Sequence, residues 1–117
     1  ITYGRGVYWA LEAAKKFPGA VEIIDLRTIV PIDFETVSES VQRTNRCIVL
    51  TEEPEVNTFA QALTGRIAKE CFEYLDAAPE LIGSVDLPAI PLNEKMELEY
   101  LPSAKKVAER IGTLLEY

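Results

Sequence analysis

Three groupings in this sequence have residue types and spacings that chemistry uses. Gly4-Arg5-Gly6 stands between a short apolar segment and a helix-like run, with Asp25 some twenty residues on at the end of the next apolar run. That is the outline of a dinucleotide site, where glycines let the backbone close on a pyrophosphate and an acid holds the ribose. The third glycine of the pattern should fall at position 9, and this chain has Trp9 there. An indole defeats the close helix–strand packing that the motif needs, so a plain turn glycine is the stronger reading. Glu52, Glu53 and Glu55 crowd the loop after the apolar run Cys47 to Leu50. Three acids could bind a cation, or one could act as an acid of raised pKa. Pro54 stiffens that loop and no histidine completes a ligand shell, which favours a solvated acidic loop at a subunit or domain boundary. Arg27 lies in Leu26-Arg27-Thr28-Ile29-Val30-Pro31-Ile32-Asp33, and neither the turn at Pro31 nor the helix cap expected at Asp33 explains it. Its fork could hold a carboxylate within the domain or across an interface.

Much chemistry is excluded. The chain has no histidine, which removes the commonest acid/base residue and the commonest metal ligand together, so a histidine-dependent site cannot be complete within it. Serine and cysteine nucleophiles have no base to activate them. Cys47 and Cys71 lie 24 positions apart in apolar surroundings and read as buried free thiols of a reducing compartment, cytoplasmic or, in a eukaryote, the mitochondrial matrix. Twelve basic against 19 acidic residues give a net charge of −7, which repels phosphate backbones and makes nucleic acid an unsuitable partner. No apolar run approaches the roughly 20 residues of a membrane span.

The elements that must position these groups follow from periodicity. At 117 residues and 48% hydrophobic, the chain can build one core, burying about two-thirds of its unfolded surface. Val7, Ala10, Leu11, Ala14 and Phe17 have helical spacing that Pro18-Gly19 ends, and Val21 to Leu26 reads as a strand. Phe34, Val37 and Val41 predict a second helix with Asp33 as its cap. Cys47 to Leu50 is a strand of the doubly buried kind. The longest helix is predicted from Thr58 to Leu75, with Phe72 on its buried stripe and Gly65 marking a close approach by another element. Leu81 to Val85 is a further strand, Asp86 to Pro91 a surface strap broken by two prolines, and Pro102 opens a last helix buried through Val107, Ala108, Ile111, Leu114 and Leu115. The alternation β-α-β-α-β-α-β-α predicts a parallel-rich sheet with helices on both sides. Only Ile1-Thr2-Tyr3 precede Gly4, so the chain reads as a fragment of a longer one that enters within its first strand.

Read in order, the motifs resemble a known family. They are Thr2-Tyr3-Gly4 with the Val7 to Ala14 helix; Asp25-Leu26-Arg27-Thr28-Ile29-Val30-Pro31-Ile32-Asp33; Glu52 with Phe59-Ala60; Cys71-Phe72-Glu73-Tyr74-Leu75-Asp76-Ala77; Asp86-Leu87-Pro88; and Leu98-Glu99 with Tyr100-Leu101-Pro102. The sequence is similar over residues 1–117 to the C-terminal domain of the transketolase superfamily. Within it, the β subunit, or fused α-β chain, of thiamine diphosphate-dependent 2-oxoacid dehydrogenases of the branched-chain (2-oxoisovalerate) or pyruvate type is most similar. The resemblance implies a three-layer α/β/α domain whose mostly parallel sheet has about five strands, one of them antiparallel.

It also implies a parent oxidoreductase that uses thiamine diphosphate and magnesium to decarboxylate a 2-oxoacid and passes the acyl group to a lipoyl arm. The cofactor and the catalytic histidines would sit in other domains, so this domain would bind no cofactor or metal, hold no catalytic residue and be inactive alone. Its implied role is assembly and docking, with the α subunit and other domains of the enzyme, with a two-fold partner subunit, and with the subunit-binding domain of a lipoyl acyltransferase. Arg27, Glu52, Asp76 and Tyr117 are the residues at the implied interface positions, Asp76 and the Glu116-Tyr117 end being those of the acyltransferase surface. Thr51 stands where members commonly carry a histidine, and Val56-Asn57-Thr58 where they carry paired glycines before the phenylalanine. Two other readings remain open: the same domain of a transketolase or a deoxyxylulose phosphate synthase, and an independent nucleotide-binding α/β domain using the Gly4 turn.

Overall fold

The computed structural model describes residues 1–117. Its elements are α1 (Gly6–Ala14), α2 (Phe34–Thr44), β1 (Ile48–Pro54), α3 (Phe59–Glu70), a 3-10 turn (Phe72–Tyr74), β2 (Glu80–Ser84), α4 (Glu94–Tyr100) and α5 (Ala104–Leu115). β1 and β2 pair in parallel, Val49 opposite Leu81 and Leu50 opposite Ile82. Thr2 forms parallel bridges to Leu50 on one side and Asp25 on the other. The sheet therefore runs residues 24–26, residues 1–3, β1, β2, and every pairing in it is parallel. Four of the five expected strand positions are paired. Where a fifth would flank β2, the amide of Val85 donates to the carbonyl of Tyr100 at 3.2 Å instead.

Alternation along β1 builds two cores. Cys47 and Val49 point into one with Val37, Val41, Leu63 and Ile67 of α2 and α3. Leu50 joins the other with Ala13 of α1 and Val107, Ala108 and Ile111 of α5, and Ile48 packs against it. A strand apolar on both faces needs a helical layer on each, and the fold is accordingly three-layered α/β/α.

The helix ends show how local chemistry sets boundaries. Asp33 accepts from the Thr36 amide at 3.1 Å and caps α2, as its position predicts. Those bonds to Thr36 hold its carboxyl below the usual range. Thr58 caps α3 through the Gln61 amide. Pro102, expected within the last helix, lies just before it, and Ser103 caps α5 through the Lys106 amide at 3.3 Å. α4 was not predicted, although Asn93 accepts from the amides of both Lys95 and Met96, and an Asn followed at once by Glu94 is a helix-start signal in the sequence.

Three expectations are corrected. The helix predicted from Thr58 to Leu75 stops at Glu70, and the 3-10 turn that follows advances about 120° per residue instead of 100°. That turns Phe72 off the buried stripe and leaves it 75% exposed. Gly65 meets no close neighbour, and a Cβ there would stand in open space. The close approaches are at Gly6, whose missing Cβ would collide with Thr2 Oγ1, and at Gly83, where it would lie 2.5 Å from the Glu53 carbonyl oxygen. The strand read from Val21 to Leu26 pairs only at its end, where Thr2 bridges to Asp25.

Cys47 and Cys71 are free and buried, and burial pushes the Cys47 thiol up to about 11.

Two glycines give a test of opposite sign. Gly65→Ala should stabilise by about 0.5–1 kcal/mol, the helix propensity difference, while Gly83→Ala should destabilise by roughly 1–3 kcal/mol, because backbone must move. Urea titration of the two variants checks this, and a loss of stability in Gly65→Ala would mean that its Cβ position is occupied after all.

Candidate functional site

The candidate residues separate to opposite ends of the sheet. Arg27 follows residues 24–26, and Glu52 lies in the carboxyl-terminal half of β1. Asp76 lies before β2, and its amide donates to the Asn45 carbonyl ahead of β1 at 2.9 Å. Tyr117 closes α5, whose last turn shares a cleft with Arg46 and Cys47 at the amino edge. No single site contains all four.

At the carboxyl edge, the pairing of β1 with β2 shifts register between Leu50 and Pro54. This bulge turns the acidic side chains apart. Glu52 is exposed; Glu53 accepts from the Tyr3 hydroxyl at 3.4 Å; Glu55 accepts from the Gly83 amide at 3.0 Å. No three His, Cys, Asp or Glu side chains converge as a metal site would require; Glu53 and Glu55 hold separate hydrogen bonds and Glu52 holds none. Tyr3 joins the two strand ends: its hydroxyl accepts from Thr51 Oγ1 at 3.0 Å, and its ring meets Phe59 edge-on at 5.6 Å. Burial raises the Tyr3 pKa and Glu53 adds to the rise, against the opposing bond from Thr51.

Arg27 turns back on its own strand. Its backbone is left-handed (φ 56°), its Nε lies 2.7 Å from Asp25 Oδ2, and its amide donates to Asp25 Oδ1 at 3.3 Å. The carboxylate it holds is thus within the domain and is held without the forked geometry, while the side chain stays 85% exposed with both terminal nitrogens free for another acceptor.

The same contacts dispose of the dinucleotide outline. Asp25 is occupied by Arg27, and the Arg5 guanidinium covers Trp9 at 5.3 Å. The first-turn amides of α1 at Gly6, Val7 and Tyr8 donate to the carbonyls of Tyr3, Gly4 and Arg5, so they are not free to receive a phosphate. Gly4 is a turn residue (φ 56°). Gly6 serves packing.

At the amino edge, Asn45 ends α2 in the left-handed conformation (φ 61°), and its Nδ2 donates to the Tyr74 carbonyl at 2.7 Å. Arg46 approaches Asp76 at 3.6 Å. Asp76 is therefore a partner of Arg46 as well as a surface acid. Tyr117 is 74% exposed. Beside them Glu22 is held below the usual carboxylate range by the Ser40 hydroxyl and by Arg43.

The feature that residue-type reasoning missed is apolar. Val30 after residues 24–26, Val56 after β1, and Leu87, Ile90 and Leu92 after β2 all remain exposed, Val30 by 90% and Leu92 completely. Three of the four connections that leave the carboxyl edge present at least one; the short Gly4-Arg5 turn into α1 has none. The signal was available in the strap Asp86 to Pro91, where prolines alternate with large apolar residues.

Comparison with known proteins completes the description. Residues 1–107 match the transketolase, C-terminal domain family. The chain belongs to that family. Among curated relatives of this transketolase C-terminal domain, a pyruvate dehydrogenase E1 component subunit beta of Rickettsia conorii is 37% identical over 120 residues, covering 100% of this chain and 36% of the relative. A 2-oxoisovalerate dehydrogenase subunit beta of Bacillus subtilis is 29% identical over 120 residues, covering 100% and 37%. An acetoin:2,6-dichlorophenolindophenol oxidoreductase subunit beta of Cupriavidus necator is 36% identical over 111 residues, covering 92% and 32%. The chain spans about a third of the length of the curated relatives it matches.

The Tyr3 bridge yields a pH test. Stability contributed by neutral Tyr3 is complete below the ordinary tyrosine pKa of 10.0 and is lost as pH rises through its higher folded value. Ultraviolet titration of the five tyrosines should show a late-ionising component that Tyr3→Phe removes, with about 0.5–1.5 kcal/mol of stability lost at neutral pH. A late component that survives the substitution belongs to another tyrosine.

Proposed function

We propose that this chain is the non-catalytic assembly and docking domain of the decarboxylating component of a 2-oxoacid dehydrogenase complex. The parent polypeptide is longer, and residues 1–117 form one transketolase C-terminal-like domain of it. The parent oxidatively decarboxylates pyruvate or 2-oxoisovalerate with thiamine diphosphate and magnesium, which its other domains hold, and delivers the acyl group to a lipoyl arm. Its compartment is the cytoplasm, or the mitochondrial matrix in a eukaryote, a reading that two buried free thiols support.

The observation that carries this reading is the uncovered apolar rim at the carboxyl edge. The chain exposes 7377 Å², roughly 1,000 Å² more than the ~6,400 Å² expected of a monomeric protein of its mass. Large apolar side chains in successive connections on one edge mark a surface that another protein body covers. Arg27, with free terminal nitrogens, and Glu52, with no partner of its own, supply polar contacts within that rim. The other domains and the α subunit of the enzyme are the partners proposed there. The amino edge, with Asp76, Glu116 and Tyr117 exposed, is the surface proposed for the two-fold partner subunit and for a small basic domain of the lipoyl acyltransferase, which acidic side chains attract.

The residues present do not form a diphosphate and magnesium site: the first-turn amides of α1 are engaged, and no acidic cluster converges. The contribution proposed for this chain is accordingly positional.

The test is reduction of an artificial electron acceptor by the longer polypeptide with its α subunit, and by the 117-residue chain, each supplied with thiamine diphosphate and pyruvate, 2-oxoisovalerate or acetoin. Activity with one 2-oxoacid in the first and none in the second is the expected result. Turnover of acetoin alone would move the reading to the acetoin oxidoreductase relatives, and silence in the loaded parent would favour a transketolase or a synthase. In the same parent, Arg27→Ala should lower assembly with the α subunit about tenfold or more, while the melting temperature of the 117-residue chain changes by less than about 2 °C, because an exposed ion pair contributes little to folding. Equal losses in both would show that Arg27 serves only the fold.

A further inference from the structure

β2 is an edge strand, with β1 on one side and no strand on the other. Its ladder fixes which backbone groups are left over. The Glu80 amide donates to the Cys47 carbonyl at 3.0 Å, and along a parallel strand the N–H and C=O of each residue point the same way, alternating from one side to the other. Glu80, Ile82 and Ser84 therefore face β1, while Leu81, Gly83 and Val85 face outward. Beside the outward groups a cleft of about 370 Å³ opens between Glu55 and Gly83 on one side and Lys106, Glu109 and Arg110 of α5 on the other. A bare edge with room beside it is a template on which another strand pairs.

The chain closes this edge with its own groups. At the carboxyl end the Val85 amide donates to the Tyr100 carbonyl at 3.2 Å. At the amino end Arg110 Nη1 lies 3.0 Å from Glu80 Oε2, which places charge beside the strand. Between them the Gly83 amide donates to Glu55 Oε1 at 3.0 Å. Glu55 follows β1, so its side chain must cross over β2 to reach a group that faces away from β1. Glycine makes the crossing possible, because a Cβ at position 83 would stand 2.9 Å from Glu55 Cγ. Glu55 is exposed and joins none of the ion pairs of the chain. The Lys106 ammonium in the same cleft is committed to the carbonyls of Glu99 and Leu101, both at 3.1 Å. The Gly83 amide is thus what the Glu55 carboxylate serves.

We propose that Glu55 seals the open edge of the sheet, its carboxylate standing where the carbonyl of a neighbouring strand would accept, and that its removal lets β2 pair with β2 of a second copy. This does not rest on the reaction of the parent enzyme. The edge itself decides the occupant. With Val85 engaged, Leu81 and Gly83 are the residues of β2 left with outward amides, one position apart. Two antiparallel copies related by a two-fold axis at Ile82 match those groups to each other: Leu81 of each exchanges both bonds with Gly83 of the other. The pairing is self-complementary in side chains as well, since a leucine opposite a glycine sets a large group against none.

Three substitutions separate the acceptor from its charge. Glu55→Ala removes both; Glu55→Asp keeps the charge but is one methylene too short to cross Gly83; Glu55→Gln keeps the reach and an accepting oxygen without the charge. With Ala or Asp the Gly83 amide should exchange about tenfold or more faster in dilute solution. Sedimentation equilibrium should then show more dimer than the unsubstituted chain forms, and raising the protein concentration should protect the amides of Leu81 and Gly83. Glu55→Gln should match the unsubstituted chain in all three measurements. Dimer with Gln but not with Asp would show that charge alone keeps copies apart, and overturns the assignment. No gain of dimer with Ala, or protection that appears at Val30 and Ile90 instead of Leu81 and Gly83, overturns it as well. Should the 117-residue chain not fold alone, the same variants are compared within the longer polypeptide, where faster exchange at Gly83 with Ala and Asp but not with Gln is the expected result and equal exchange in all is the contrary one.

Discussion

The contact on which the rest of the fold depends is the one between Thr2 and Gly6. Thr2 bridges to Asp25 and Leu50 at once, and its hydroxyl donates to the Leu50 carbonyl at 2.8 Å. Only a residue without a Cβ can begin a helix directly above it, and Gly6 is that residue. With Thr2 in place, residues 24–26 and β1 stand on either side at fixed register, and α1 leaves the sheet at an angle that carries Ala13 into the second core. Any larger side chain at position 6 would lift α1 from the sheet and open the core shared with α5. The same contact explains why the glycine turn is structural: its atoms are spent on the sheet and leave no cradle for a ligand.

Gly83 has a similar duty at the other side of β1. The bulge that turns Glu53 toward Tyr3 brings the Glu53 carbonyl and Glu55 against β2, and Glu55 accepts from the Gly83 amide. The acidic loop is thereby held by backbone as much as by side chains. Its carboxylates are parted by geometry, not merely by solvent.

Legibility followed the physical range of each signal. The strand at Cys47 to Leu50, the cap at Asp33 and the buried face of α5 through Leu114, though not the exposed Leu115, could be read because periodicity and capping are local. Phe72 was misplaced because a 3-10 turn changes the angular step without altering the apolar pattern. Gly65 was misread because glycine in a helix has no local mark that separates a close approach from open surface. The four candidate interface residues are chosen by type and by family position, but their distribution over two edges depends on strand direction, which no single residue carries. The apolar rim was overlooked because exposed aliphatic side chains acquire meaning only when the topology gathers their loops on one edge.

The bulge between Leu50 and Pro54 has a consequence for how this family can diverge. Pairing is regular up to Leu50 opposite Ile82 and resumes at Pro54 opposite Ser84, so three residues of β1 face a single residue of β2. A stretch already out of step with its neighbour can absorb a change in length without shifting Val49 or Leu50 in the cores. Insertions and deletions should therefore collect at positions 51–53 in related chains, letting the rim change its shape while the spacing of the buried residues stays constant.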